Sequence, residues 1–184
     1  MKLFVLNVLY LPMPNKNAGF TLIELVVVII ILGVLAVVAA PKFINLQSDA
    51  YKSQLSGALA SMKSAVTLFK AKSEIANSGT TNRVVYDEIR GENYQPWAAS
   101  TSGITPSTAY TTPPEIFKAA GLNVNEWSYR IYTTNGTYEV IATPKQKLNL
   151  ATPTEAQVEA TNCYIDYKWE TTGVPTYKKV DTGC

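Results

Sequence analysis

The chain has 184 residues, of which 47% are hydrophobic and 16% charged, so it can contain one membrane segment and one soluble domain of about a hundred residues. Its 16 basic and 14 acidic residues give a net charge of +2, which is too balanced to favour nucleic acid as a partner. The absence of histidine removes the commonest general base and most transition-metal sites. We therefore predict a non-enzymatic protein without a metal or cofactor.

An apolar run from Phe20 to Ala40 dominates the N-terminal third of the chain. As a helix its 21 residues would be about 31 Å long, which is enough to cross the hydrocarbon core of a bilayer. One acid, Glu24, lies inside this run. Because a carboxylate in a spanning helix costs roughly 2.5 to 3.5 kcal/mol, Glu24 predicts a function and a partner of opposite charge.

The sequence around this acid resembles the N-terminus of type IV pilins of the type IVa class, since residues 19–40 read GFTLIELVVVIIILGVLAVVAA. The resemblance implies that a prepilin peptidase cuts between Gly19 and Phe20 and then methylates the new amine of Phe20. A secretory signal peptide is instead cut after its apolar core. Cleavage at Gly19 would therefore leave the apolar helix on the mature chain. On apolarity alone, an ordinary signal anchor or an uncleaved signal peptide is the alternative.

The expected leader, residues 1–19, departs from the family because it begins with a hydrophobic stretch where a short polar leader is usual. Met13 would give the more usual leader MPNKNAG, so we expect translation to start there. Lys16 has no acid near it in the sequence, which favours a cytoplasmic N-terminus. We predict a single-pass protein of the inner membrane before assembly.

Glu24 gains a specific role if cleavage occurs, because the new amine on Phe20 is a cation that also needs a partner in a packed filament core. Glu24 lies four residues beyond Phe20, so the two charges can pair within one subunit. A pair between subunits would in addition fix the axial stagger of neighbouring helices, and we favour it. Snorkelling of Glu24 to the membrane surface is the alternative.

Helical periodicity continues beyond the membrane run, because apolar residues recur at three- and four-residue steps up to about Ala76. A helix over residues 20–76 is longer than one small domain can bury, which suggests a spine shared between subunits. A coiled-coil dimer is the alternative.

Gly33 and Pro41 lie inside the predicted helix, and Pro41 removes a backbone donor. In type IV pilins the segment between matching Gly and Pro positions can unwind in the filament. The resemblance therefore implies helix melting between Gly33 and Pro41, whereas a plain kink at the membrane surface is the alternative.

Residues 77–184 are predicted to form the globular domain. Thr112 and Thr152 each precede a Pro and then a Glu at the third helical position, which predicts the N-caps of two short helices. Gly121 should end the first of these helices. The dipeptide Asn135-Gly136 predicts a hairpin between two β-rich runs.

These two runs and two later ones give about four strands, at residues 127–133, 137–143, 163–169 and 175–181. The predicted fold class is α+β, with a long N-terminal helical spine packed against a roughly four-stranded antiparallel sheet. The ladle fold of type IV pilins, which the resemblance implies, has the same architecture.

The two cysteines, Cys163 and Cys184, allow one disulfide, which would close a loop of about 22 residues and needs an oxidising compartment. The segment 163–184 looks like the disulfide-bounded region of type IV pilins. Residues 41–50, PKFINLQSDA, resemble the mannose-sensitive haemagglutinin (MSHA) pilins in particular.

We predict a structural subunit that polymerises with copies of itself into an extracellular pilus, or fimbrium, for adhesion or motility. The resemblance implies as partners the prepilin peptidase, an assembly ATPase, inner-membrane platform proteins, the membrane itself, and a surface or host-cell receptor. A pseudopilin of a type II secretion system is the nearest alternative, and the Cys163/Cys184 pair argues against it. A membrane-anchored binding domain that never polymerises is a second alternative, against which Glu24 argues.

Overall fold

The structure is a computed structural model that describes residues 19–76, 83–99 and 113–184. The chain divides into two compact units, Met1–Phe43 and Ile44–Cys184. One helix, α1, runs from Leu22 to Ala76 and contributes residues to both units. The prediction of a long N-terminal helix is confirmed.

In the first unit, α1 exposes its apolar side chains on all sides. Every large apolar residue from Phe20 to Val38 is at least 37% exposed. Within the described chain, this is the one helix long and apolar enough to cross a membrane by length and composition. A helix that is apolar all round needs lipid or other helices around it.

In the second unit, α1 is amphipathic. Its core-facing residues recur at steps of three and four and are almost fully buried: Leu55, Ala58, Met62, Ala65 and Phe69. Between these residues lie exposed ones such as Lys63. Burial of this stripe stabilises the helix through tertiary packing more than propensity does.

The main sheet has four antiparallel strands in the order β4-β5-β6-β7. Their bounds are Trp127–Thr134 (β4), Thr137–Pro144 (β5), Tyr164–Lys168 (β6) and Thr176–Val180 (β7). Asn135 and Gly136 both have positive φ, 52° and 81°, as a two-residue type I′ hairpin requires. The predicted four-stranded antiparallel sheet and its hairpin are confirmed.

One face of this sheet packs on α1. Three residues that lie opposite one another on neighbouring strands share a core with Leu55 and Met62 of α1: Ile131, Val140 and Tyr167. The other face is covered by the connection between β5 and β6, where Val158 packs against Ile141 and Tyr164. The α+β fold is thus built around two apolar layers.

A second, smaller sheet was missing from the predicted elements. It is antiparallel in the order β1-β2-β3. Its strands are Arg83–Tyr86 (β1), Ile89–Glu92 (β2) and Gln95–Pro96 (β3). Two-residue turns join them, and all four turn residues have positive φ although none is glycine: Asp87, Glu88, Asn93 and Tyr94.

The first short helix, α2, runs from Glu115 to Ala119. Its N-cap is Pro114, and no side chain caps it. The predicted N-cap Thr112 lies outside the described residues, and the helix begins two residues later than predicted. Gly121 follows the helix with a φ of 66°, so its predicted role in ending the helix is confirmed.

The second short helix, α3, runs from Glu155 to Glu159, and its N-cap is Thr154. The predicted N-cap Thr152 is wrong by two residues. Gln157 occupies the third position of this helix. Its backbone N–H donates to Thr154 Oγ1 at 3.2 Å, and its side-chain oxygen accepts from the backbone N–H of Thr154 at 2.8 Å. This reciprocal pair satisfies two backbone donors, which fixes the start of the helix.

Candidate functional site

The predicted cleavage site lies immediately before α1. Gly19 and Phe20 are exposed and outside regular secondary structure. No atom lies within 4 Å of the position that a Cβ on Gly19 would occupy. The peptide bond between Gly19 and Phe20 is therefore exposed and precedes the first turn of the helix.

Glu24 forms a capping box with Thr21 at the start of α1. The backbone N–H and the hydroxyl of Thr21 both donate to Glu24 Oε2, each at 2.9 Å. In return, the backbone N–H of Glu24 donates to Thr21 Oγ1 at 3.3 Å. The sequence contains the matching Thr-x-x-Glu pattern, which the sequence prediction did not use.

The capping box directs the Glu24 carboxylate back towards the residue that would carry the new amine. Both Thr21 hydrogen bonds use Oε2, and no described side chain donates to Oε1. One carboxylate oxygen thus satisfies the helix terminus while the other is open to a cation. Negative charge at a helix N-terminus is also favoured by the helix dipole.

Gly33 and Pro41 both lie within the unbroken helix α1. A Cβ on Gly33 would have no neighbour within 4 Å. Melting between Gly33 and Pro41 stays a prediction for the assembled filament.

The predicted cysteine pair forms a disulfide, with the Cα atoms of Cys163 and Cys184 4.8 Å apart. Cys163 is fully buried in the core beside α1 and the main sheet. The backbone N–H of Gly183 donates to Asn162 O at 2.7 Å. The chain terminus is therefore fixed to the start of β6 by a covalent bond and a backbone hydrogen bond.

Two lysines, which sequence reasoning did not single out, connect this C-terminal region to α1. Lys147 Nζ donates to Gly183 O at 2.8 Å and lies 5.0 Å from the centre of the Tyr51 ring. Lys179 Nζ donates to Ser56 Oγ at 3.3 Å and pairs with Asp181 at 2.8 Å. These contacts hold the last residues against the second-unit part of the helix.

Residues 14–40 match a family described as the prokaryotic N-terminal methylation motif. This matched segment contains Gly19, Phe20 and Glu24. The N-terminal segment therefore carries the prokaryotic N-terminal methylation motif. The predicted resemblance is thus confirmed for the N-terminal methylation motif.

Several type IV pilins match part of the chain. The chain is 43% identical over 63 residues to the type IV major alpha-pilin of Moraxella bovis, covering 33% of this chain and 40% of that protein. It is 34% identical over 79 residues to the type IV major pilin protein PilA of Myxococcus xanthus, covering 43% of this chain and 36% of that protein. It is 40% identical over 53 residues to the type IV narrow pilus major component PilA5 of Thermus thermophilus, covering 29% of this chain and 46% of that protein.

The match to each of these pilins spans less than half of its length. No solved structure matches the chain significantly.

Proposed function

We propose that this protein is a structural subunit of a type IV pilus. It is made as a precursor in the inner membrane, cut between Gly19 and Phe20, methylated on Phe20, and packed through its N-terminal helix into a surface filament. The observation that most supports this proposal is the methylation motif over residues 14–40, because its residues from Leu22 onward form a helix whose large apolar side chains are exposed on all sides. The similar proteins are described as major pilins, which favours a major subunit.

The chemistry of assembly follows from two charges that processing brings together. The methylated amine of Phe20 stays cationic, and in an apolar filament core it needs an anion. Glu24 supplies that anion through Oε1, while Oε2 keeps the helix terminus capped by Thr21. We assign the amine to a neighbouring subunit, because such a pair also sets the axial register of two helices.

Other parts of the proposal depend on the family rather than on this structure. They are helix melting between Gly33 and Pro41, export and oxidation of the Cys163/Cys184 pair, and action by a prepilin peptidase, an assembly ATPase and inner-membrane platform proteins. The finer assignment to MSHA-like pilins depends on residues 41–50 alone. The filament would act in adhesion to a surface or host-cell receptor, or in motility.

The proposal can be tested by shearing filaments from cells and detecting the chain by immunoblot. We expect the wild-type chain in the sheared filaments, and we expect Glu24→Ala to leave the chain processed in the membrane but absent from them. Asp49→Ala is the matched control, since Asp49 is an exposed acid further along the same helix. A wild-type chain confined to the periplasmic side, without surface filaments, would instead indicate a pseudopilin. A processed chain that remains monomeric in the membrane would indicate an anchored binding domain.

A further inference from the structure

The outer face of the main sheet, on the side away from α1, contains a cluster of acids outside the N-terminal site. Tyr132 on β4 is paired directly with Glu139 on β5. Ile141, two residues along β5, is paired with Asp166 on β6. Since residues that are two apart or directly opposite share a face, Tyr132, Glu139 and Asp166 lie together on one side of the sheet.

The phenol of Tyr132 lies between the two carboxylates. Tyr132 Oη is 2.8 Å from Glu139 Oε2 and 3.2 Å from Asp166 Oδ2. Three oxygens in a row need two protons for two full hydrogen bonds, and the phenol supplies only one. A second proton, on one of the carboxyl groups, would complete both hydrogen bonds.

Asp166 is the carboxyl group better suited to hold this proton. Glu139 keeps a cationic partner, Lys168, with Nζ 3.5 Å from its Oε1. Asp166 has the one buried side-chain oxygen of the described residues that makes no hydrogen bond, Oδ1. An ionised carboxylate with an unpaired buried oxygen is costly, whereas a neutral one costs much less.

The electrostatic surroundings of Asp166 favour the neutral form as well. Burial, followed by the negative charge of Glu139, raises the pKa of Asp166 to about 7. The hydrogen bond with Tyr132 lowers the pKa of Asp166, as does Lys178, which is paired with Asp166 across β6 and β7. Glu155 at the start of α3 adds a further negative charge that raises this pKa. Arg130 on β4 and Glu159 on α3 act on Glu155 with opposite signs.

The cluster is connected to α3 through Tyr132. The Tyr132 ring packs against the apolar cluster formed by Ile141, Tyr164 and Val158, and Val158 is the buried residue of α3. Tyr132 therefore provides both the phenol of the cluster and part of the surface on which α3 packs.

We propose that Asp166 is a proton-operated latch: its carboxyl proton completes the chain from Asp166 through Tyr132 to Glu139, and loss of that proton loosens α3 from the sheet. When the proton is present, Asp166 donates to the Tyr132 oxygen and the phenol donates to Glu139. When it is lost, two carboxylates compete for one phenol proton, and Asp166 repels Glu139 and Glu155. The order of α3 in the assembled subunit would then depend on the pH outside the cell.

The sign of the effect follows from proton linkage. The closed state binds the Asp166 proton more tightly than an open state with a carboxyl pKa near 3.8, so the closed state is favoured at low pH. This advantage is lost as the pH rises through about 7. Between pH 6 and pH 8 the protection of α3 against opening should fall about tenfold.

The test uses the full chain in detergent micelles and measures amide hydrogen exchange over Glu155–Glu159 at pH 6 and pH 8, corrected for the intrinsic pH dependence. We expect the wild type to lose protection about tenfold and D166N, whose side chain cannot ionise, to lose none beyond this correction. D49N, a change of an exposed acid on α1, is the matched control and should behave as the wild type. A wild type without this loss, or a D166N variant that retains it, would overturn the proposal.

A second measurement needs no folded variant. The carboxyl ¹³C resonances of aspartates in the labelled wild-type chain report each titration directly. We expect one aspartate to titrate with a midpoint near 7, as the structure assigns to Asp166. If every aspartate titrates below about pH 5, in the range of ordinary carboxyl groups, the latch is contradicted.

Discussion

Thr21 and Glu24 hold each other at the first turn of α1, with two donors on Thr21 bound to one oxygen of Glu24. This relationship gives the acid in the apolar helix a local partner before any second subunit is present. Glu24 therefore has two roles, capping the helix and supplying a negative charge, and substitution by alanine would remove both.

The two roles are separated by Glu24→Gln. Glutamine also functions at the third position of a capping box, so the helix terminus stays satisfied while the charge is lost. We expect Glu24→Gln to lose sheared filaments as completely as Glu24→Ala does, because neither variant can neutralise the Phe20 amine. Immunoblots of sheared and cell-bound fractions measure this loss. Filaments at wild-type levels from Glu24→Gln would show that capping, and not charge, is what assembly needs from this residue.

Thr21→Ala removes the cap and leaves the acid in place. Loss of an N-cap costs about 1 kcal/mol, so amides in the first turn of α1 should exchange roughly fivefold faster in micelles. Filament assembly should persist at a reduced level, because the charge on Glu24 remains. Thr21→Ser, which keeps the hydroxyl, is the control and should exchange as the wild type. Equal exchange in Thr21→Ala and Thr21→Ser would argue against a capping role.

Gly91 allows the small sheet to approach α1. A Cβ on Gly91 would overlap both the Phe69 ring and the carbonyl oxygen of Gln95. We expect Gly91→Ala to lower the free energy of unfolding by about 1 to 3 kcal/mol, as overpacking does, in urea denaturation of the micelle-bound chain.

Gly57 on α1 provides the matched control, since its Cβ position has no neighbour within 4 Å. Gly57→Ala should be neutral or stabilising by up to about 1 kcal/mol, because alanine is the better helix former. Similar stabilities for the two variants would contradict the described packing of β2 on Phe69.

The terminal disulfide should contribute mainly through the unfolded state. Replacing both cysteines, Cys163→Ser with Cys184→Ser, reopens a loop of about 22 residues and should cost roughly 3 kcal/mol. The double variant avoids a free thiol that could pair with another chain. Because Lys147 and Lys179 still hold the terminus to α1, we expect a cooperative urea transition at lower denaturant. An unchanged midpoint would contradict a stabilising role for the bridge.

The parts of the fold that sequence predicted well have strong local signals. An apolar run followed by steps of three and four residues predicts α1, and Asn135-Gly136 predicts the β4–β5 hairpin. The small sheet has no such signal, because its turns place Asp87, Glu88, Asn93 and Tyr94 at positive φ without a glycine. The α3 start was misplaced because two overlapping Thr patterns compete, and the side chain of Gln157 selects the second.

Features that depend on contacts between residues far apart in the chain could not be predicted from the sequence. Gln95 is fully buried and makes two hydrogen bonds to the backbone of Glu170, one donated at 2.6 Å and one accepted at 3.2 Å. The chain from Asp166 through Tyr132 to Glu139 likewise needs three strands in register. The N-terminal motif could be predicted, because Gly19, Phe20 and Glu24 lie within one short segment of the sequence.

The most direct test of the central claim is mass spectrometry of the N-terminal peptide of this chain, taken from filaments sheared off the cell surface. The account predicts a peptide that begins at Phe20 and bears one methyl group on its amine. Filaments whose subunits retain residues before Phe20, or surface filaments that lack this chain, would contradict it.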